Sequence, residues 1–413
     1  MIKYYCKEKK KGSYVMELNE KQREGLELAV ARYRNGEKCT IIAGYAGTGK
    51  STLVKFIIAA LADDGIKPDE DVVYTSFTGK ATQVLQKKGN KNVSTLHKLL
   101  FTHFPRPDGT FYRRPVDSIP YKIVIVDECS MVPADLLKRL AGYSTHIICL
   151  GDPGQLPPIN KDEDNHLLDN PHVFLDEIMR QEEQSEIIKL TMDIRAGKPL
   201  NHFIGKEVQI LDKDELNTGM LQWADQIICA TNATRTALNN QMRDLLGRGE
   251  SPEDGDKVIC LRNYWECISE QEQPLVNGTI GILKNSFNSH IRIPYFLTKG
   301  RLNQIDVVQA SFEADDGSIF SNLTMDKKMI LEGESTLTYK ENYLMAKNPN
   351  LRNSIPLSFT YGYAITCHKS QGSEWDNVLV IEEGFPFDKE EHKKWLYTAA
   401  TRAAKKLVII RKG

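Results

Sequence analysis

The sequence predicts an α/β protein with two parallel sheets, each covered by helices, and a β-rich segment set into the second. Three observations point there. Short apolar runs alternate with helical patterns over residues 39–152; the alternation returns after Pro171; and from Asp256 to Ser354 closely spaced short strands replace it. Apolar runs separated by helices are the pattern of parallel strands buried on both faces.

The elements follow in order. CTIIA (39–43) is an apolar strand that leads through a glycine-rich turn into STLVKFIIAALADDG (51–65), whose apolar residues recur at helical spacing. DVVYTS (71–76), KIVIVD (122–127) and HIICLGD (146–152) are further buried strands. Between them FTHFPRPDGTFYRRPVDSIP (101–120) carries four prolines and an Asp-Gly pair, which predict an extended hairpin or loop and not a helix. In the second region EEQSEIIKLTMDIRAGK (182–198) is a helix with a glycine stop. DQIICATN (225–232) is a strand, and ATRTALNNQMRDLLGRG (233–249) a helix ending at glycine. DKVICL, NGTIGIL, HIRIPYFL and IDVVQASF are the short strands of the insert. FTYGYAIT, NVLVIEE and KWLYTAATRAAKKLVII restore the α/β pattern. The expected domains are 1–170, with an insert at about 101–120, then a split second domain of 171–255 and 355–413, interrupted by 256–354.

Composition excludes several classes. Of 413 residues, 41% are hydrophobic and 26% charged, ordinary for a globular chain and unlike a disordered, collagenous or disulfide-scaffold protein. No apolar run approaches the ~18 residues of a membrane span. The start, MIKYYCKEKKKGSY, is basic but leads into no apolar stretch, so an intracellular protein is expected. The eight cysteines (6, 39, 129, 149, 229, 260, 267, 367) include no C-x-x-C pair, and several sit in apolar runs, so they read as buried small hydrophobes and not zinc ligands. The 54 basic and 55 acidic residues sum to −1. Within 76–122, however, nine basic residues face only Asp108 and Asp117. That tract fits a phosphate-binding face, and on charge alone a solvated lysine-rich loop fits equally.

The strongest motif is GYAGTGKST (44–52), a match to G-x-x-x-x-G-K-[ST] with a strand before and a helix after. Gly44, Gly47 and Gly49 allow the backbone, with Ala46, Thr48 and Thr52, to curl so that its N–H groups surround phosphate oxygens. Lys50 can reach the outer phosphates and Ser51 can ligate Mg²⁺. IVIVDE (123–128) supplies the acidic partner: Asp127, at the end of a buried strand, for the metal, and Glu128 to polarise an attacking water. GDPGQLPPI (151–159) places Gln155 where its amide could sense the outer phosphate, or else on a proline-stiffened surface loop. Arg180 in LDEIMRQ and Arg402 in YTAATRAAKK could offset phosphoryl charge across a cleft, or simply form surface ion pairs.

GYAGTGKST, VDECSM, GDPGQLPPI, YAITCHKSQGSEWD and YTAATRAAKK occur in an order and spacing that resemble motifs I, II, III, V and VI of superfamily 1 helicases. The VDECSM and HKSQG forms look like the RecD/Dda branch, superfamily 1B. SFTGKAT (76–82), STLHKLL (94–100) and LDEIMRQ (175–181) resemble motifs Ia, Ib and IV, and LNEKQREGLELA (18–29) resembles the adenine-reading segment, with Gln22 at its glutamine. DKVICLRN (256–263) and VNGTIGIL (276–283) resemble the start of the small β-barrel this branch inserts in its second motor domain. The resemblance covers nearly the whole chain.

It implies two RecA-like motor domains around an ATP cleft and a DNA helicase moving 5′→3′ on single-stranded DNA. The implied nucleotide site is Gln22, the P-loop, Asp127, Glu128, Gln155, Arg180, Gly372, Glu374 and Arg402, with ATP and Mg²⁺ as cofactors. The implied DNA contacts are Phe77, Thr78, Lys80, Thr95, His97, Thr366 and His368, with Phe111 and Tyr112 on a duplex-separating wedge. Phe77 stands where relatives usually carry proline, so base stacking is expected there. The wedge segment is short, and 284–354 shows no family motif. The expected setting is a monomeric, cytoplasmic motor in a bacterial cell or phage-infected host. Its expected partners are single strands, single/double-strand junctions and a single-strand-binding or replication protein.

Overall fold

The computed structural model describes residues 18–105, 111–157, 165–179, 185–384 and 388–412. Its first half runs through β1 (Cys39–Gly44), β2 (Val72–Ser76), β3 (Val93–Thr95), a hairpin of β4 (Phe101–Pro105) and β5 (Phe111–Pro115), then β6 (Ile123–Val126), β7 (His146–Gly151) and β8 (Val173–Leu175). Apart from the hairpin these strands form one parallel sheet in the order β3-β2-β6-β7-β1-β8. All of β6 is buried, and its side chains alternate between two cores: Ile123 and Ile125 face one with Ile42 and Ile148, while Val124 and Val126 face the other with Ile41 and Ile147. That is the two-sided burial expected of a parallel strand. The sheet continues to β8, past the expected domain edge at 170, because Val173–Leu175 pairs with β1.

The second half holds β9 (Phe203–Ile204), β10 (Val208–Leu211), β11 (Gln226–Cys229), β12 (Lys257–Cys260), β13 (Tyr264–Ile268), β14 (Pro274–Leu275), β15 (Ile280–Arg292), β16 (Gln304–Ala314), β17 (Ile319–Asp326), β18 (Phe359–Tyr361), β19 (Ala364–Thr366), β20 (Trp375–Ile381) and β21 (Ala403–Ile410). The second sheet, β19-β11-β20-β21-β10-β9, is parallel except for β9. The insert forms an antiparallel sheet, β17-β16-β15-β12-β18. It reaches Tyr361, beyond the expected limit at 354, because β18 pairs with β12. The two edges of this sheet meet at a bridge, Met325 to Leu357, where the Asp326 N–H donates to Leu357 O at 3.0 Å and the Leu357 N–H to Thr324 O at 2.8 Å. Insert and second sheet share one core, in which Ile227 and Leu379 pack with Val258, Phe312 and Phe359.

The segment expected as a hairpin or loop is a hairpin, with Phe101 opposite Pro115 and Phe104 opposite Tyr112. Among the described residues no helix is long and apolar enough to cross a membrane, and no cluster of His, Cys, Asp or Glu could hold a metal by itself.

Candidate nucleotide site and nucleic-acid face

The turn after β1 depends on glycine. Gly47 and Gly49 have φ of 76° and 79°, which a side chain would strain. A Cβ on Gly49 would also lie 2.5 Å from Gln22 Nε2. The helix that follows, Lys50–Leu61, has no side-chain N-cap. Among described helices of nine or more residues it is alone in this, since Asn19, Thr78, Ser185, Thr231, Thr338 and Asp388 cap the others. No capping side chain competes for its first-turn N–H groups, the arrangement that accepts a phosphate. Lys50 folds back on the loop, donating from Nζ to the carbonyls of Gly44 (2.6 Å) and Tyr45 (2.9 Å). Ser51 is exposed at the helix start and Thr52 half-buried behind it.

Gln22 is buried and engaged within the protein. Its amide oxygen accepts from the Asn19 N–H in a capping box, and Nε2 donates to the Thr48 carbonyl at 3.0 Å. Gln22 thereby braces the P-loop beside which the resemblance implies its adenine contact.

Asp127 and Glu128 follow β6 directly. The Asp127 N–H donates to Thr75 O at 2.8 Å and its Oδ1 accepts from the Glu128 N–H at 3.0 Å. Desolvation in the cleft pushes the Asp127 carboxyl above its ordinary range, against Lys88, the Glu128 N–H and Lys50. The Glu128 carboxyl is also raised, chiefly by desolvation and then by Asp127, with Arg402 and Lys50 opposing. Glu128 has φ 53° and ψ 45°, a left-handed conformation uncommon for a residue with a side chain. A Ser51 hydroxyl and a half-buried Asp127 carboxylate, both beside the P-loop, are hard oxygen donors that suit Mg²⁺ bound with a nucleotide.

The far end of the chain closes on this loop. Tyr397 Oη accepts from the Ala46 N–H at 2.9 Å and donates to Asp152 Oδ2 at 2.7 Å. Thr398 Oγ1 accepts from the Leu156 N–H, and Gln371 Nε2 donates to the Leu156 carbonyl, each at 2.9 Å. Arg402 is buried, not a surface ion pair; its guanidinium donates to the Thr398 and Ser373 carbonyls and to Thr401 Oγ1. Gln155 is buried as well, and its amide oxygen has no partner among the described residues, which leaves it hydrogen-bonding capacity for a ligand or water. Arg180 lies outside the described residues, but Met179 beside it donates its N–H to Gly47 O at 3.0 Å. Arg195 stacks on Tyr45, with Cζ 3.4 Å from the ring centroid.

Tyr397, Asp152, Gln371, Thr398 and Arg195 are absent from the sequence-derived set. Four lie inside recognised motifs, yet which side chains cross the cleft depends on how the sheets dock. A Cβ on Gly372 would lie 3.0 Å from Ala81 Cβ, so Gly372 packs close to the helix Gly79–Lys87, and Glu374 is exposed.

The expected DNA residues form two groups. Phe77, His97 and Phe101 run ring to ring, with centroids 5.6 Å and 6.2 Å apart. With Arg113 of the hairpin they line a cavity of about 450 Å³. Thr95 Oγ1 caps the short helix that carries His97, accepting from Lys98 N–H at 3.2 Å. The second group surrounds the start of the helix Gly79–Lys87. Thr78 Oγ1 accepts from Ala81 N–H, and a Cβ on Gly79 would meet Val276 of the insert at 2.5 Å. Burial lowers the Lys80 pKa, with Asp315 and Asp316 of the insert opposing. Thr366 and His368 lie on the turn that Gly372 brings against this helix, and Lys369 Nζ donates to Asn277 Oδ1 at 3.0 Å. Both sheets and the insert therefore converge here. The basic tract is less free than its sequence suggests, because acids outside the window claim part of it: Lys91 pairs with Asp69 at 2.5 Å and Lys122 with Asp71 at 3.2 Å. The side chains of Phe104, Phe111 and Tyr112 lie outside what the structure describes, as does Arg106.

Comparison with known proteins agrees with this layout. Residues 17–216 match the family described as AAA domain, and 361–410 the UvrD-like helicase C-terminal domain. The chain is 26% identical to the ATP-dependent RecD2 DNA helicase of Deinococcus radiodurans over 93% of its own length, but spans only 48% of that protein. It is 29% identical to the ATP-dependent DNA helicase dda of Enterobacteria phage T4, over 44% of this chain and 43% of that one. Its fold matches a Pif1 helicase from Bacteroides in complex with ADP-AlF3 and ssDNA, with TM-score 0.51, 19% identity and coverage of 95% of this chain and 92% of that one. Motifs, two RecA-like sheets and relatives agree: the chain is similar to the superfamily 1B helicases of the RecD/Dda type.

Proposed function

We propose that this chain is an ATP-dependent DNA helicase that moves 5′→3′ along single-stranded DNA and opens duplex ahead of it. The observation that supports this best is the composite cleft: Tyr397 and Arg402 of the second sheet reach Ala46 and the field of Glu128 on the first. A site completed by two bodies can couple nucleotide state to their separation. Lys50 would exchange its loop carbonyls for phosphate oxygens. Glu128, ionised, would accept a proton from the attacking water, with Asp127, Lys50 and Arg402 setting its basicity. Mg²⁺ held by Ser51, Asp127 and the nucleotide would offset phosphate charge. Gln155 would accept from the attacking water through its unpartnered amide oxygen and donate to the outer phosphate from its amide N–H₂. The single strand would cross Phe77, Thr78, Lys80 and His97 on one body and Thr366 and His368 on the other.

A second reading, a translocase that strips proteins and unwinds poorly, is favoured by the short hairpin, whose two strands have five residues each. A nucleotide switch with little turnover is disfavoured by the full set of Glu128, Gln155 and Arg402. Strand displacement on 5′- and 3′-tailed duplexes tests the main reading. Unwinding only from a 5′ tail is expected, and unwinding from a 3′ tail would reverse the polarity. Replacing Phe111 and Tyr112 with Ala should spare single-strand ATPase and slow unwinding if the hairpin is the wedge. A parallel loss of ATPase and thermal stability would instead make the pair core.

A further inference from the structure

Beyond the core shared with the second sheet, β15 and β16 run on into a lobe with a core of its own: Ile293, Leu297, Ile305, Val307, Leu337 and Met345. Two short helices, Tyr295–Thr298 and Tyr339–Lys347, pack together there. Arg301 ties the segments, donating to Thr336 O and to the buried Glu341. Four rings remain outside that core: Tyr295, Phe296, Tyr339 and Tyr343 are 76%, 63%, 90% and 37% exposed. Tyr339, Tyr343 and Lys347 follow each other at intervals of four and share one helix face. Lys347 Nζ sits 4.4 Å from the Tyr343 centroid. A group of exposed rings on one lobe marks an interaction surface.

Charge selects the partner. Segments 291–307 and 336–355 hold Arg292, Lys299, Arg301, Lys340, Lys347 and Arg352 against two acids, Asp306 and Glu341, and Arg301 already pairs Glu341. The flanking Glu332 and Glu334 pair with Lys328. In a chain of net charge −1 this is a concentrated positive excess. Protein interfaces are depleted in lysine, whereas rings interleaved with lysine and arginine suit single-stranded nucleic acid, which offers a stacking face and a phosphate at every residue.

We propose that this lobe is an accessory platform for single-stranded nucleic acid, separate from the motor face, with bases stacking on Tyr339 and Tyr343 and phosphates meeting Lys340 and Lys347. The inference rests on the DNA-motor reading only for the presence of a strand. The test measures affinity without nucleotide for a labelled thymidine oligomer of about 10 nucleotides, a single-site length, and for one about four times longer. In the full chain, Tyr339→Ala/Tyr343→Ala should weaken the long strand by about 10-fold or more and leave the short strand and its ATPase stimulation unchanged. Tyr339→Phe/Tyr343→Phe should retain wild-type affinity. Lys340→Ser/Lys347→Ser should reduce the salt slope by about two. Unchanged long-strand affinity in the alanine pair overturns the proposal. So does a change in its sedimentation mass with DNA affinity intact, which would make the rings a protein contact. Failure of the motor reading shows separately, as absent DNA-stimulated ATPase with the length-dependent affinity preserved.

Discussion

Two helix starts in this molecule solve the same electrostatic problem in opposite ways. After β1, the helix Lys50–Leu61 begins with left-handed Gly49 and no capping side chain. After β11, the helix Asn232–Leu245 is capped by Thr231 and filled by a carboxylate from the end of β20. Glu383 accepts from the N–H groups of Ala230 (2.5 Å) and Thr231 (3.0 Å) and from the hydroxyls of Thr231 and Thr234. Both are strand-to-helix turns of a parallel sheet, and both concentrate positive potential. One keeps it for an anion from solution; the other has neutralised it within the chain. In the proposed function nucleotide chemistry is therefore one-sided, and the second body would contribute Tyr397 and Arg402 to the first body's site.

The contrast can be broken most sharply at Lys50. Lys50→Ala should lower DNA-stimulated ATPase by at least ~100-fold while circular dichroism and melting stay unchanged, because the side chain touches only loop carbonyls. A comparable loss of folding would place Lys50 in the core instead. Next comes Glu128→Gln, expected to bind nucleotide and DNA normally yet turn over ~100-fold more slowly. Near-normal kcat would remove Glu128 from the role of base.

The internal anion yields a stability effect in place of a catalytic one. Glu383→Gln should cost about 1–3 kcal/mol in denaturant unfolding and leave the KM for nucleotide unchanged. Burial works to raise the Glu383 pKa, but the donors of Thr234, Thr231 and Ala230 outweigh it and hold the pKa below the usual range. A depressed carboxyl stabilises the fold above its unfolded pKa and loses that contribution as pH falls through the folded value. The native chain should therefore lose stability on acidification below the ordinary carboxylate range, in a step that the glutamine variant lacks. The same step in both would assign it to other carboxylates. The smallest effect is expected from Tyr397→Phe, which deletes the bridge between Ala46 and Asp152. Two hydrogen bonds are lost, each worth ~0.5–1.5 kcal/mol, about 2- to 12-fold in kcat/KM apiece, and no change would make the bridge incidental to closure.

Legibility followed locality. GYAGTGKST could be read because a phosphate loop needs its glycines, lysine and serine contiguous, and IVIVDE because a buried strand ends in its acids. Gln155 and Arg402 were ambiguous in one dimension, since a buried amide and a surface amide have the same letter. Their burial separates them from surface polar residues. Gln22 and Gly372 sit in matched motifs but touch Thr48 and Ala81, contacts between segments 26 and 291 residues apart. The basic tract read as free charge because Asp69 and Asp71, which neutralise part of it, stand just outside the window.

By itself the sequence determined the glycine-rich strand-to-helix turn, the two acids that follow β6 and the split α/β order, since each depends on neighbours in the chain and on hydrophobic period. Tertiary structure alone decided which side chains of the second body enter the first body's cleft, that Val276 of the insert lies over Gly79, and that the rings of Tyr339 and Tyr343 stay outside the small core of their lobe. Those outcomes come from the docking of surfaces distant in sequence, where burial and charge are set by the partner and not by the local chain.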